Sequence, residues 1–313
     1  MHKIFLTGAA GLVGQNLCLE LAKAQIDFTL VGCDKNLHNL NISKEIHSSK
    51  NFSFICEDLA EKNANWMEQL KNSDTLIICH AQISSLNKKD FFRNNVQATQ
   101  NILDVASLSK VKKIIHISSS VVNSEVSDEY VKTKTMQEDL VVSSNIESLI
   151  LRPTLMFGML DRKHLGWLAR FLKLSPIFPI PGDGKYVRQP LYANDFCRII
   201  ISSIDTDING IYDISGLEEI EYIEIIKLIK SSVGSYSVLV KMPVSFFKRL
   251  LRIYSLIDSN PPFTADQADA LVTPETFPKI DWPTIFQVKS TDTNKALTET
   301  FTKNKYSKIK MEF

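Results

Sequence analysis

The sequence has little cysteine, and none of it is grouped. Cys18, Cys33, Cys56, Cys79 and Cys197 lie far apart, which leaves no close pair to seed a zinc site. An odd count inside apolar segments points to buried thiols in a reducing compartment. Charge of one sign is also missing. Thirty-six basic against thirty-five acidic residues leave a net charge of +1, so no broad electrostatic footprint for nucleic acid is expected. No uninterrupted apolar run approaches the length that spans a bilayer. Met1-His2-Lys3 leads straight into an apolar strand, so no signal peptide is expected and the predicted compartment is the cytoplasm. The local departure from neutrality is the basic tail 301–313, where Lys303, Lys305, Lys308 and Lys310 read as a solvated end.

What is present is an ordinary globular composition, 44% apolar and 23% charged, with 313 residues for one large core or two modest ones. Apolar runs at Lys3–Leu6, 28–31, 52–55, 75–78, 114–117 and 148–151 alternate with helical patterns at 12–24, 65–71, 94–107 and 128–142. That alternation predicts βαβ units and a doubly wound parallel α/β sheet. After Arg152-Pro153 the character changes, with Pro176, Pro179, Pro181, Gly182 and Gly184 crowding a loop. A last strand near 210–214 and a helix at 222–232 follow. The predicted division is a dinucleotide-binding domain over 1–165, with a strand and helix returning at about 187–216. The segments 166–186 and 217–300 make a smaller mixed lobe for substrate.

Thr7-Gly8-Ala9-Ala10-Gly11-Leu12-Val13-Gly14 stands between the first strand and the first helix. Gly8 permits a tight turn, a side chain at Gly11 would obstruct a pyrophosphate, and Gly14 allows close packing of the helix. The helix end offers free N–H groups and a positive dipole to the phosphates, around Leu12 and Val13. Twenty residues on, Asp34 ends the second strand, where a carboxylate accepts ribose hydroxyls and repels a 2′-phosphate. This favours NAD over NADP, although the neighbouring Lys35 weakens the preference. Asp58-Leu59 falls where an adenine contact would lie.

The fifth strand ends in Ser118-Ser119-Ser120, and Tyr130 and Lys134 follow on one face of a helix that Ser127 or Asp128 could cap. An ammonium beside a phenol lowers the phenol's pKa, and a serine hydroxyl can hold the substrate oxygen. Ser120, Tyr130 and Lys134 are therefore the candidate catalytic set. The plain alternative is a solvent-facing pair, because the same spacing recurs at Tyr306 and Lys310.

These residues resemble the extended or atypical short-chain dehydrogenase/reductases of the NAD-dependent epimerase/dehydratase group, over roughly residues 2–298. The glycine turn, Asp34 and Asp58-Leu59 match that group's cofactor contacts. Asn95-Val96-Gln97-Ala98-Thr99-Gln100-Asn101 matches its fourth-helix motif, whose first Asn supports the active site. The resemblance implies further cofactor contacts at Ala81 and Pro153, and gives Lys134 a second contact on the nicotinamide ribose. It also implies that Arg188 grips a substrate diphosphate, as a guanidinium can; a strand-edge arginine is the plain reading. Two stretches depart from the group. Its apolar-Ala-Ala strand end is here Cys79-His80-Ala81, with His80 read as a local hydrogen-bonding residue, and the loop before Tyr130 is shortened to Val121–Glu129.

The resemblance implies an NAD-dependent epimerase or oxidoreductase acting on a nucleotide sugar, working as a homodimer, with no metal. Two rivals stand beside it. One is a non-catalytic NAD(P)-binding assembly or regulatory subunit, suggested by the shortened loop. The other is a reductase of a hydrophobic ketone, suggested by the apolar stretch Phe246–Leu256. That same stretch carries Lys248, Arg249 and Arg252, a pattern that also suits peripheral membrane contact.

Overall fold

Runs rich in Ile, Leu and Phe become strands, and each glycine- or asparagine-marked break returns the chain through a helix. The computed structural model describes residues 1–24, 27–124, 128–256, 267–273, 276–302, 306, 309 and 311–312. In chain order come β1 (His2–Thr7), α1 (Leu12–Leu21), β2 (Phe28–Asp34), α2 (Leu37–Ile46), β3 (Phe52–Cys56), α3 (Ala64–Lys71), β4 (Thr75–Ile78) and α4 (Lys88–Phe91). A π-helical stretch (Phe92–Gln97) leads into α5 (Ala98–Ala106), β5 (Lys113–Ile117), a 3-10 turn (Ser120–Asn123), α6 (Glu129–Val142) and β6 (Glu147–Pro153). Then follow β7 (Met156–Phe157), α7 (His164–Leu174), β8 (Ile177–Pro181), β9 (Val187–Arg188), β10 (Leu191–Tyr192), α8 (Ala193–Ser202) and β11 (Gly210–Ile214). The chain ends through β12 (Ile220–Glu221), α9 (Tyr222–Ser232), β13 (Val238–Met242), α10 (Val244–Tyr254), α11 (Gln267–Val272), α12 (Trp282–Ile285) and α13 (Thr293–Phe301).

Seven strands form one parallel sheet in the order β11-β6-β5-β4-β1-β2-β3. This is the doubly wound Rossmann arrangement that the alternating pattern predicts. The strand order reverses beside β1, which pairs with both β2 and β4. Outside the carboxyl ends of strands at such a switch point, a crevice opens that suits a dinucleotide. Below it, Phe5, Leu76, Ile78, Ile114 and Ile150 of the strands meet Trp66 and Leu70 of α3 and Ile102 and Val105 of α5. Each such side chain contributes about 1.5–3 kcal/mol on burial, so the strand ends have a rigid base.

The chain divides into two compact units. The first holds Met1–Pro153, Ala193–Ile214 and Ile280–Lys289. The second holds Thr154–Tyr192, Ser215–Lys279 and Ser290–Phe313, and packs Leu165 and Leu168 of α7 with Ile225, Ile229 and Leu297. The sequence boundary at 165 therefore moves to Pro153, and the returning segment to 193–214. The reason is local: Pro153 is the last residue paired to β11, and the Thr154 hydroxyl already donates to the Gln189 carbonyl (2.6 Å) of the second unit. The tail also joins that unit, through a hydrogen bond from Arg162 to the Glu312 carbonyl, while Lys303, Lys305, Lys308 and Lys310 lie outside the described residues. In α10 no residue is buried, and Phe246, Leu250 and Ile253 are exposed. No helix among the described residues is long and apolar enough to cross a membrane.

Candidate active site

The glycine turn takes its shape from close backbone approaches. Gly8 has φ +65°, and a Cβ there would stand 2.8 Å from the Cys79 carbonyl and the His80 nitrogen at the end of β4. A Cβ on Gly14 would stand 2.5 Å from the Gly8 oxygen, so α1 packs against the turn itself. At Gly11 a Cβ would meet only that same oxygen, at 3.2 Å. Gly11 caps α1 without a side-chain hydrogen bond. An uncapped helix start with free space above it suits an anion such as a pyrophosphate. Leu12 and Val13 open the helix, as the motif requires.

Asp34 ends β2 beside this turn. One of its oxygens accepts from the Ala10 N–H (3.0 Å) and the other from the Asn36 N–H (2.9 Å), so the carboxylate braces the turn while keeping further lone pairs. The Lys35 ammonium donates to Asn94 (2.9 Å). Asp58 accepts from Arg93 (2.7 Å) and from the Ala60 N–H. Burial works to raise its carboxyl, but those two donors outweigh it and hold it below the ordinary carboxylate range. Leu59 is buried, Ala81 is exposed just past β4, and Pro153 is buried at the end of β6.

The reactive set lies where β5 ends and α6 begins. Asp128 caps α6 by accepting from the Val131 N–H (2.9 Å); Ser127 lies outside the described residues. The π-helical stretch brings in Asn95, which is fully buried. Its amide donates to Thr133 of α6 (2.9 Å), and its oxygen accepts from the Gln82 N–H (2.6 Å), so it ties α6 to the segment after β4. Such insertions often mark functional sites.

Two expectations change here. Ser120 begins the 3-10 turn and is buried, whereas the half-buried Ser119 hydrogen-bonds to Tyr130. Spacing could not choose among three consecutive serines. Nor does an ammonium depress the Tyr130 phenol in this structure. Burial pushes it up to about 12, with the Ser119 hydrogen bond pulling the other way. The Lys134 ammonium is instead occupied, donating to the Ile117 carbonyl (2.9 Å) and to Gln137 Oε1 (2.7 Å). Lys134 is fully buried, and desolvation pulls it down to about 7, opposed by the Glu138 carboxylate.

Below Lys134 lies an ion pair. Arg152 Nε donates to Glu138 Oε1 (2.9 Å), and the Ser118 hydroxyl donates to the same oxygen. Glu138 is nearly buried, and Asp213 stands 3.8 Å from the same guanidinium. Removing the carboxylate strands a partly buried cation. Glu138→Ala is expected to cost on the order of 3 kcal/mol in urea unfolding, with Glu138→Gln costing less because its oxygen still accepts.

In the second unit, Arg188 donates to the carbonyls of Val187 (2.7 Å), Thr273 (3.1 Å) and Leu271, and lies 5.2 Å from the centre of the Tyr186 ring. It ties β9 to the end of α11, and gripping a diphosphate would require giving up some of these bonds. Arg188→Ala is expected to lower stability by on the order of 2 kcal/mol, read by thermal melting.

A model of the NAD dependent epimerase/dehydratase family matches residues 4–215. The chain belongs to this family. It is 27% identical over 258 residues to a trifunctional UDP-glucose 4,6-dehydratase/UDP-4-keto-6-deoxy-D-glucose 3,5-epimerase/UDP-4-keto-L-rhamnose-reductase of Arabidopsis thaliana, covering 71% of this chain but only 38% of that protein's length. It is 25% identical over 273 residues to a UDP-N-acetyl-alpha-D-glucosaminuronate decarboxylase of Bacillus cytotoxicus, covering 77% of this chain and 83% of that one. Among solved structures, the UDP-glucuronic acid 4-epimerase of Bacillus cereus in complex with NAD superposes with a TM-score of 0.66 at 25% identity, covering 76% of this chain and 87% of that one.

Family membership sets the departures in relief. His80, in place of the usual Ala, accounts for itself structurally by bonding Thr7 and Thr99. The shortened loop begins with the 3-10 turn, where the Asn123 amide donates to Asp213 (3.0 Å), and residues 125–127 lie outside the described residues.

Proposed function

We propose that the chain binds NAD at the glycine turn and acts on a hydroxyl or keto group of a nucleotide sugar, as an epimerase or oxidoreductase. The observation that carries the reading is the hydrogen bond between Tyr130 and Ser119 at the end of β5, with Lys134 buried one turn along α6 on the Ile117 carbonyl. The uncapped start of α1, the room at Gly11 and the carboxylate of Asp34 support the cofactor assignment. Gly8, Gly11, Leu12, Val13 and Gly14 would hold the pyrophosphate, Asp34 the adenosine ribose, and Ala81 and Pro153 the path of the nicotinamide. NAD when bound supplies the acceptor for a substrate hydride.

The chain's own residues supply the proton chemistry. Tyr130 takes the proton from the sugar hydroxyl, and Ser119, beside Ser120, holds the oxygen in line. Lys134, anchored on the Ile117 carbonyl and Gln137, would offer its remaining N–H to the nicotinamide ribose. The nucleotide-sugar assignment draws on the relatives, whose names specify UDP-sugars. The test is incubation of the protein and NAD with a panel of UDP- and dTDP-sugars, followed by NMR of the sugar carbons. A new sugar signal that disappears in the Tyr130 variant supports the reading. Absence of NAD binding by calorimetry sinks it.

A further inference from the structure

The buried face of α6 is almost wholly polar. Thr133, Lys134, Gln137 and Glu138 are buried on it, with Val141 as its apolar member. A helix normally turns an apolar stripe inward, so this face needs a reason of another kind. Glu138 has one in Arg152, and Thr133 has one in Asn95. Gln137 has one in Lys134.

The donors and acceptors around Gln137 have a single consistent direction. Lys134 has only protons to give, so the Gln137 atom facing it at 2.7 Å is the oxygen. The Gln137 nitrogen then faces Thr99 Oγ1 (2.8 Å) and His80 Nε2 (3.4 Å). The Gln137 N–H can only donate, so His80 Nε2, which also lies 3.1 Å from Thr99 Oγ1, is assigned as the acceptor. With Nε2 as acceptor, the imidazole proton is assigned to Nδ1, 2.8 Å from Thr7 Oγ1. Thr7 Oγ1 also takes the Cys79 N–H (3.0 Å) and the longer His80 N–H (3.3 Å), and its proton points to the Ile77 carbonyl (3.3 Å). One directed chain thus runs from the lysine ammonium to the junction of β1 and β4.

We propose that Gln137 and His80 are positioning residues for Lys134, the imidazole fixing the carboxamide so that its oxygen, not its nitrogen, meets the ammonium. This rests on the reading of Lys134 as part of the reactive set. Reversing the Gln137 amide would set two donors against an ammonium and leave Thr99 and His80 facing an oxygen. His80 blocks that reversal only while neutral. Burial holds the imidazole down, near 3, and the Lys134 and Lys35 charges push the same way, so the clamp does not switch at ordinary pH. Around the ammonium stand Cys79 and His80 just past β4, His116 on β5, and Glu138 on α6 itself. Cys79 and His116 are both held neutral by burial. In this surrounding, the Glu138 carboxylate is the opposing charge, and the Gln137 oxygen and the Ile117 carbonyl are the direct acceptors of the ammonium.

The test reads Lys134 directly, in protein without cofactor. Lysine labelled with ¹³C at Cε is titrated by NMR, and the Lys134 signal is assigned by its loss in Lys134→Met. Gln137→Met, similar in size but without an acceptor, should lower the Lys134 midpoint by about one pH unit or more, the effect of losing one hydrogen bond to a charged group. Gln137→Glu should raise it by a similar amount. His80→Ala should lower it by a smaller step, and the double variant His80→Ala/Gln137→Met should move it no further than Gln137→Met alone. The alkaline limb of the turnover profile should shift with the midpoint. Loss of melting temperature with an unmoved Lys134 midpoint overturns the proposal and leaves Gln137 a packing residue. If Gln137→Met fails to fold, the upward shift in Gln137→Glu decides, and no shift there overturns it equally. Full turnover in Lys134→Met would defeat the catalytic reading alone, because the midpoint shifts would still show whether the clamp exists.

Discussion

Tyr130→Phe is expected to lower turnover by roughly 10²- to 10⁴-fold, the range for losing a placed acid–base group, while NAD binding stays nearly unchanged. The substitution removes one oxygen and leaves the ring to fill the same space, so folding should be little disturbed. The Ser119 hydroxyl loses its partner, a cost of about 1 kcal/mol. The pH dependence makes the test sharper. Burial holds the phenol near 12 in this structure, so only a small fraction is ionised at neutral pH. Oxidation of a sugar hydroxyl should therefore rise with pH below the Lys134 midpoint near 7, with log(kcat/KM) approaching unit slope, and level off above it as the ammonium is lost. In Tyr130→Phe that limb should be absent. A variant that keeps both its rate and its slope would place the proton transfer elsewhere and revive the non-catalytic subunit.

The second large effect belongs to the glycine turn. Gly14→Ala adds one methyl group that would stand 2.5 Å from the Gly8 oxygen and 2.7 Å from the Ala9 Cα. Both are backbone atoms, so the first turn of α1 has to move rather than a side chain. Overpacking of this kind costs about 1–3 kcal/mol of stability. Moving the helix start also misaims its N–H groups, which should weaken NAD binding by roughly 10- to 100-fold, the loss of a charge-assisted hydrogen bond or more. Calorimetric titration with NAD reads the affinity and a thermal melt the stability. Unchanged affinity in a folded Gly14→Ala protein would show that the pyrophosphate does not rest on α1.

Much of the sheet could be read from local pattern because its strands are short apolar runs with clear breaks. The predicted runs at 75–78 and 210–214 coincide with β4 and β11, and the others fall within one to three residues of their strands. Helices α2 and α7 did not stand out in the same way. The α2 sequence LHNLNISKEI is rich in residues that compete with the helix through their own side chains, and it depends on the Asn36 cap. The helix expected within 187–216 is α8, and it packs against α1.

At the site, sequence spacing was informative along one helix and uninformative across elements. It put Tyr130 and Lys134 on one face of α6 but could not choose between adjacent serines or say where the ammonium points. His80 looked like a bystander at the end of a strand. Its partners, Thr7, Thr99 and Gln137, are distant in sequence, and no local pattern joins them.

By itself the sequence determined the class of protein: a Rossmann sheet, a glycine turn at a helix start, and a phenol and an amine one helical turn apart. These follow from periodicities of two and 3.6 residues and from the conformations that glycine alone permits, all local properties of the chain. The three-dimensional packing decided the rest: Ser119 rather than Ser120 beside the phenol, Arg188 on main-chain carbonyls, and a lysine held by a glutamine that a histidine keeps in place. Those outcomes depend on which buried donor finds which acceptor, and burial makes every such pairing compulsory only once the elements have met.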